Sequence, residues 1–148
     1  MFKLPAHERL RMWKKFRDKI SQQSFEIAVN EVEEFWQKCP FTPFYLLENS
    51  SEWPDPWQLI IDNTYCDLAK VLGMLYTLHL SSHGIIHRSP IINIYTDSTT
   101  RYQYHLAELC DGKYVLNLND AEILNKKHIN QLKLLRWYTA ADLQLEKY

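Results

Sequence analysis

The stretch WPDPWQLIIDNTYCDLAKVLGMLYTL, residues 53–78, contains the helix around which the rest of the chain is expected to fold. Asn63 or Thr64 can cap this helix, which is predicted to run to about Ser82 and to stop at Gly84. Two adjacent faces of it are apolar, one with small residues and one with bulky residues at helical spacing. The small stripe is Cys66, Ala69, Gly73 and Thr77, and the bulky stripe is Tyr65, Leu68, Leu72, Leu75 and Tyr76. The pattern predicts a central, buried helix that a second element approaches closely along the small stripe.

The segments on either side of this helix indicate an α+β fold. Two amphipathic helices are predicted over 6–20 and 24–38, within an N-terminal helical segment 1–39. Residues 40–63 form an aromatic connection with four prolines, which favour extended and turn geometry. Strand-like runs follow at 90–97, 101–109 and 113–119, and Asp111-Gly112 marks a hairpin turn. We therefore predict a single domain, 1–148, in which a helix–sheet core at 64–120 holds a three-stranded antiparallel meander and a helical tail follows at 121–148.

Composition excludes several classes of protein. The formal net charge is −1, which gives no basic surplus for binding nucleic acid. The longest apolar stretch, Leu68 to Leu80, contains Lys70 and His79 and is too short to cross a bilayer, so no membrane partner is expected. Three cysteines with no CxxC pair favour reduced thiols in a cytoplasm. With three glycines and no glycine-rich phosphate loop, nucleotide binding is not expected, and no cofactor is predicted.

Cys66 lies where the central helix begins, and two hypotheses follow from that position. Unpaired N–H groups and the helix dipole favour an anion there, which is one way in which proteins activate a thiol. The alternative is that Cys66 is a small buried residue, which is common for free cysteine. The order YCDLAKVLGMLYTL, then YQYHLAELCDGKYVLNLND, resembles the layout of transglutaminase-like and papain-like cores. The resemblance implies Cys66 as nucleophile and His105 as base.

The third member of such a site depends on the hairpin turn. With a two-residue Asp111-Gly112 turn, Leu109 lies opposite Tyr114, and Asn117 then points away from His105 because side chains alternate along a strand. A bulge or a three-residue turn would reverse this and complete a Cys–His–Asn triad with Asn117. The transglutaminase-like pattern places an Asp four residues after its aromatic residue, but here that position is a leucine. The scaffold is therefore expected to be degenerate.

A histidine cluster, HLSSHGIIH, places His79 and His83 four residues apart, the spacing of two zinc ligands on one helical face. No carboxylate or cysteine completes a tetrahedral set nearby. We therefore predict ordinary polar residues at a helix end and no metal.

A second resemblance concerns origin. The segments WPDPWQLI, YCDLA and LGMLYTL resemble parts of small, mostly uncharacterised proteins of tailed bacteriophages, including contractile-tailed cyanophages. The resemblance implies a phage protein located in the host cytoplasm during infection or in the virion, with other phage proteins as partners. The aromatic connection and the N-terminal helices are the expected contact surface, through the side chains of Phe41, Phe44, Tyr45, Trp53 and Trp57.

The function predicted from the sequence is therefore a phage structural or assembly protein that acts through protein–protein contacts on a degenerate cysteine-hydrolase-like scaffold. The alternative is a cysteine hydrolase or acyltransferase that uses a Cys66–His105 dyad. A third hypothesis, a phage factor that inhibits a host protein, has no distinguishing feature in the sequence.

Overall fold

A computed structural model describes residues 1–118 and 131–148. These residues form the mixed α+β fold that the sequence predicts, with helices first and strands after. The helices are α1 Ala6–Ile20, α2 Phe25–Trp36, α3 Pro56–Asp62 and α4 Asp67–His79, and the strands are β1 Ile91–Thr96, β2 Gln103–Leu109, β3 Tyr114–Leu116 and β4 Lys133–Thr139. Short 3-10 turns occupy Ser50–Glu52, Ile86–Arg88 and Leu145–Lys147.

The sheet is antiparallel, with strand order β3-β2-β1-β4. The first three strands form the predicted meander. The fourth pairs with the other side of β1, with Ile92 opposite Tyr138 and an irregularity at Ile94/Tyr95. The predicted helical tail over 121–148 is therefore wrong at Lys133–Thr139, which is a strand; residues 119–130, which include the start of that tail, lie outside the described residues.

Helix α4 is the centre of the structure and packs against α2, α3 and β2. Every residue from Val71 to Leu78 is buried, and the helix ends at His79, earlier than predicted. The predicted close approach along the small stripe is present, because a Cβ added to Gly73 would lie 2.3 Å from the ring of Trp36. A real Cβ cannot sit at that distance, so glycine is required where α2 crosses α4.

The loop between α3 and α4 is fixed from the N-terminal segment. Asn63 has a positive φ of 52° and ends α3, so it does not cap α4 as predicted. Its side-chain amide donates to the carbonyl of Phe2 at 2.9 Å. The buried Arg9 guanidinium donates to the carbonyls of Ile60 and Ile61, at 2.9 and 2.7 Å. A cation at the carboxyl end of a helix satisfies carbonyls that lack intrahelical partners, and here it holds the chain that leads into Cys66.

Candidate active site

Cys66, and not the predicted Asn63 or Thr64, is the N-cap residue of α4. Its backbone is extended, with φ −81° and ψ 174°, and its Sγ accepts a hydrogen bond from the N–H of Ala69 at 3.5 Å. The residue is buried, with 7% of its surface exposed. The thiol therefore replaces the Ser, Thr or Asp oxygen that usually caps a helix, and it lies where backbone donors favour a negative charge.

His105 lies on β2, the strand that packs against α4, and its partner in the sheet is the buried Ile94. Burial lowers the pKa of His105; the nearby Asp67 carboxylate opposes this, while Arg136 and Lys70 add to it. Its Nδ1 is buried and makes no hydrogen bond to any described residue. The shift favours the neutral imidazole, the ring lies close enough to Asp67 and Lys70 in the first turn of α4 to feel their charges, and its Nδ1 is left without a partner among described residues.

No hydrogen bond joins Sγ of Cys66 to the His105 ring among the residues that the structure describes, where the thiol is bonded to Ala69 instead. Catalytic hydrogen bonds are often long before substrate binds. The structure thus places Cys66 and His105 on packed elements near the first turn of α4, without a hydrogen bond between them.

Asn117 contacts the backbone of His105, although strict alternation of side chains along β3 predicts that it points away. The hairpin has the predicted two-residue register, with Leu109 opposite Tyr114, and φ is positive at both Asp111 and Gly112, as in a type I′ turn. Strand β3 then ends at Leu116, and Asn117 itself has a positive φ of 71°. The strict alternation of faces therefore stops one residue before Asn117.

The side chain of Asn117 is buried, and its Nδ2 donates to the backbone carbonyl of His105 at 2.8 Å. Its backbone N–H donates to the Glu33 carboxylate on α2 at 2.7 Å. The Oδ1 atom is buried and has no hydrogen-bond partner among described residues, like Nδ1 of His105. The side-chain amide of Asn117 is thus anchored to the main chain of His105, while its side-chain oxygen, Oδ1, is left without a partner among those residues.

Three charged residues near His105 were not selected from the sequence. Asp67 and Lys70 lie in the first turn of α4, with Nζ 3.9 Å from the carboxylate, and their i,i+3 spacing was the available signal. Arg136 lies on β4 and forms an ion pair with Glu48. Ile94 of β1 lies between Arg136 and His105, because it pairs with Arg136 on one side and with His105 on the other. Arg136 is not predicted near His105 because the sequence favours a helical tail, and not a strand, over these residues.

The predicted contact surface is divided by the structure. Trp53 is buried, donates to the carbonyl of Leu47 at 2.6 Å and packs on Tyr138, so its assignment to an exposed surface is wrong. Phe44 is half-buried. The exposed members are Phe41 at 68%, Tyr45 at 96% and Trp57 at 43% of their surfaces.

The two weak metal candidates bind backbone instead. Nε2 of His79 lies 2.7 Å from the carbonyl of Leu145, and Nε2 of His83 lies 2.9 Å from that of Ile20. Because α4 ends at His79, the two rings are not on one helical face. Within 1–118 and 131–148, no three His, Cys, Asp or Glu side chains cluster to hold a metal ion. None of the helices in those residues combines the length and apolar character that crossing a membrane requires.

Comparison with known proteins adds evidence on the fold. No protein-family model matches the chain, and no curated protein matches it in sequence. Two solved structures are similar, Legionella pneumophila LapG and its EGTA-treated form, each at a TM-score of 0.62 and 14% identity. The similarity covers 91% of this chain and 75% and 74% of theirs. The fold is transglutaminase-like, as the sequence resemblance implied; the comparisons give no support to a phage origin.

The lowered pKa of His105 predicts a pH dependence of stability. In the unfolded chain this histidine has an ordinary pKa of about 6.5, so it binds a proton more readily there than in the folded protein. The His105 ring therefore contributes fully to the free energy of unfolding above the unfolded-state pKa, and this contribution is lost as pH falls through the lower pKa of the folded state. Urea unfolding between pH 7.5 and 4.5 should show a steeper decline for the wild type than for His105→Gln. Parallel declines would contradict the assignment.

Proposed function

We propose that this protein is a cysteine hydrolase or acyltransferase, with Cys66 as nucleophile, His105 as base and Asn117 as the residue that orients the base. The observation that carries the proposal is the Cys66 thiol acting as N-cap of α4, with the Ala69 N–H directed at its sulfur. His105 supports it, since this half-buried histidine, whose pKa is lowered by burial, lies on the strand packed against that helix with its Nδ1 available for the orienting contact. A transglutaminase-like fold is the scaffold on which this layout is expected.

The chemistry would proceed by acyl transfer to sulfur. His105 takes the thiol proton, and the thiolate of Cys66 attacks the substrate carbonyl carbon, forming a C–S bond. The first-turn N–H groups of Asp67 and Leu68, which have no intrahelical acceptor, stabilise the oxyanion. The leaving amine or alcohol departs with the proton from His105, and the thioester remains. Water or a second nucleophile then gives its proton to His105, attacks the thioester and releases the thiol of Cys66.

Asn117 would supply the orienting contact. Its Oδ1 and Nδ1 of His105 are both buried and unpartnered among described residues, and the asparagine amide is already bonded to the histidine main chain. A hydrogen bond from the ring to Oδ1 would fix the tautomer of His105 and the ring's direction. A neutral amide in this position orients the ring without adding a charge.

Alkylation of Cys66 by iodoacetamide tests the proposal. In a Cys39→Ser, Cys110→Ser background, we expect reaction of the folded protein at pH 6, and about a ten-fold or greater loss of rate in His105→Ala. Burial raises the pKa of Cys39 to about 11, so this thiol is already a poor competitor in the wild type. His83→Ala is the matched control, since that ring bonds the Ile20 carbonyl instead. A Cys66 thiol that is unreactive in the folded state, or reacts equally without His105, would make it a packing residue.

A second candidate function rests on the exposed part of the connection. We propose that, if Cys66 is inert, the chain acts as a phage structural or assembly protein through a patch formed by Phe41, Tyr45 and Leu47, which are 68%, 96% and 64% exposed. Aromatic residues of this kind are enriched in protein interfaces. The test is copurification with virions, compared with a Phe41→Ser, Tyr45→Ser, Leu47→Ser variant. Retention of the variant at wild-type levels, or absence of the wild-type chain from virions, would contradict it.

A further inference from the structure

A cavity of about 270 Å³ opens beside the start of α4. At about 30 Å³ per molecule it has room for roughly nine waters, which is enough for one long side chain. Two of its lining residues, Thr64 and Ala69, lie on either side of Cys66 in the chain, and the Ala69 N–H is the group that bonds to the thiol. The cavity is therefore lined by the segment that carries the proposed nucleophile, although Cys66 itself is not a lining residue.

Part of the cavity wall is apolar, and Gln58 and Thr64 are among its polar lining residues. The connection contributes Phe44, Leu46 and Pro54, and α3 contributes the buried Leu59. Phe44 and Leu46 lie on the inner side of an extended segment in which residues 41, 43, 45 and 47 point outward. A hydrogen bond from the Thr42 N–H to the carbonyl of Tyr65 at 2.8 Å ties this segment to the residue just before Cys66. Such walls suit an aliphatic chain.

Two carboxylates also line the cavity, those of Glu52 and Asp62. Neither forms an ion pair with a described Lys, Arg or His side chain. Asp62 accepts one hydrogen bond, from the Gln58 amide at 2.5 Å, through Oδ1. Glu52 accepts none from the described side chains. The cavity therefore presents two carboxylates, both on exposed residues and neither in an ion pair with a described residue, beside an apolar wall.

We infer that this cavity is a specificity pocket for a cationic side chain on an aliphatic stem, as in lysine or arginine, carried by the acyl-donor substrate. The inference rests on the proposed function, since it places the bond to be cleaved at Cys66. The stem lies against Phe44, Leu46 and Leu59, and the cation reaches the carboxylates of Glu52 and Asp62. A neutral chain of equal length gains the apolar contact alone and leaves both carboxylates unpaired.

Two alkylating probes with the same aliphatic stem test the pocket: Nα-acetyl-lysine chloromethyl ketone and its norleucine analogue, which lacks the terminal ammonium group. We expect the lysine probe to alkylate Cys66 about ten-fold faster or more at low salt, and the preference to shrink as salt is raised. The double variant Glu52→Gln, Asp62→Asn should react with both probes at similar rates. Glu26→Gln, an exposed residue of α2 outside the cavity, is the charge control and should keep the preference.

Iodoacetamide separates failure of the pocket from failure of the site, because it has no side chain to place. If iodoacetamide alkylation depends on His105 but the two probes react equally, or the preference survives the double variant, the pocket is overturned and the proposed function stands. If Cys66 is inert, binding alone decides the pocket, in Cys66→Ala by amide chemical shifts. Nα-acetyl-lysine methylamide should then shift the signals of Leu59, Thr64 and Ala69, whereas the norleucine analogue should not; equal shifts, or none, would overturn it.

Discussion

Replacing Gly73 by alanine is expected to lower the free energy of unfolding by about 3 kcal/mol. The added Cβ would lie between 2.3 and 2.5 Å from three ring carbons of Trp36, and that ring is fully buried. Alanine is the better helix former by about 1 kcal/mol, so propensity alone predicts the opposite sign. Urea unfolding of the two proteins measures the difference.

A second-site variant shows whether the clash is the cause. Trp36→Leu is itself destabilising, since it removes a large buried ring, but it opens the space that a Cβ at position 73 needs. In that background Gly73→Ala should cost nothing or should stabilise by its helix propensity. If Gly73→Ala destabilises equally with and without Trp36, close packing of the two helices is not the reason for glycine.

The same crossing connects the core to the candidate site. Trp36 is the last residue of α2, and the carboxylate of Glu33, one turn earlier, accepts a hydrogen bond of 2.7 Å from the backbone N–H of Asn117. Any displacement of α2 that accommodates a larger residue at position 73 therefore also moves the anchor of Asn117. Stability of the helix pair and geometry of the proposed triad are coupled through this one contact.

The features that the sequence predicted correctly are those in which one local pattern has one structural solution. Small residues at 66, 69, 73 and 77 can share a face only on a helix, and they produced the close approach that the structure shows. Asp111-Gly112 between two apolar runs gave the observed register of Leu109 opposite Tyr114.

The features that it missed are those in which two solutions compete. Asn63 suits both a helix N-cap and a left-handed helix end, and it serves the second here, which leaves Cys66 as the cap. Strand β4 was not predicted because Leu134, Leu135 and Trp137 are apolar but exposed. Apolar and polar residues therefore do not alternate along it as they do in a strand with one buried face. The route of Asn117 depends on a positive φ, which strand parity does not include.

Replacing Thr77 by valine is expected to destabilise the protein by a similar amount to Gly73→Ala, because it removes hydrogen bonds and not because it changes side-chain volume. The Thr77 hydroxyl accepts from Nε1 of Trp13 at 2.9 Å and from Nε1 of Trp36 at 3.0 Å, and it donates to the carbonyl of Gly73 at 2.6 Å. Its one proton and both lone pairs are thus in use. All three side chains are fully buried.

Valine keeps the shape of threonine and removes both acceptor sites, so two indole N–H groups lose their partner where water cannot replace it. Each such loss costs about 1–3 kcal/mol, and the pair about 2–6 kcal/mol, which is a large part of the about 5–15 kcal/mol that stabilises a typical domain. Thr77→Ser is the matched control: it keeps the hydroxyl, loses one methyl group and should cost only about 1 kcal/mol. Urea titrations followed by tryptophan fluorescence should therefore place valine well below serine. Equal losses would mean that the methyl contact, and not the shared acceptor, joins α1 and α2 to the central helix.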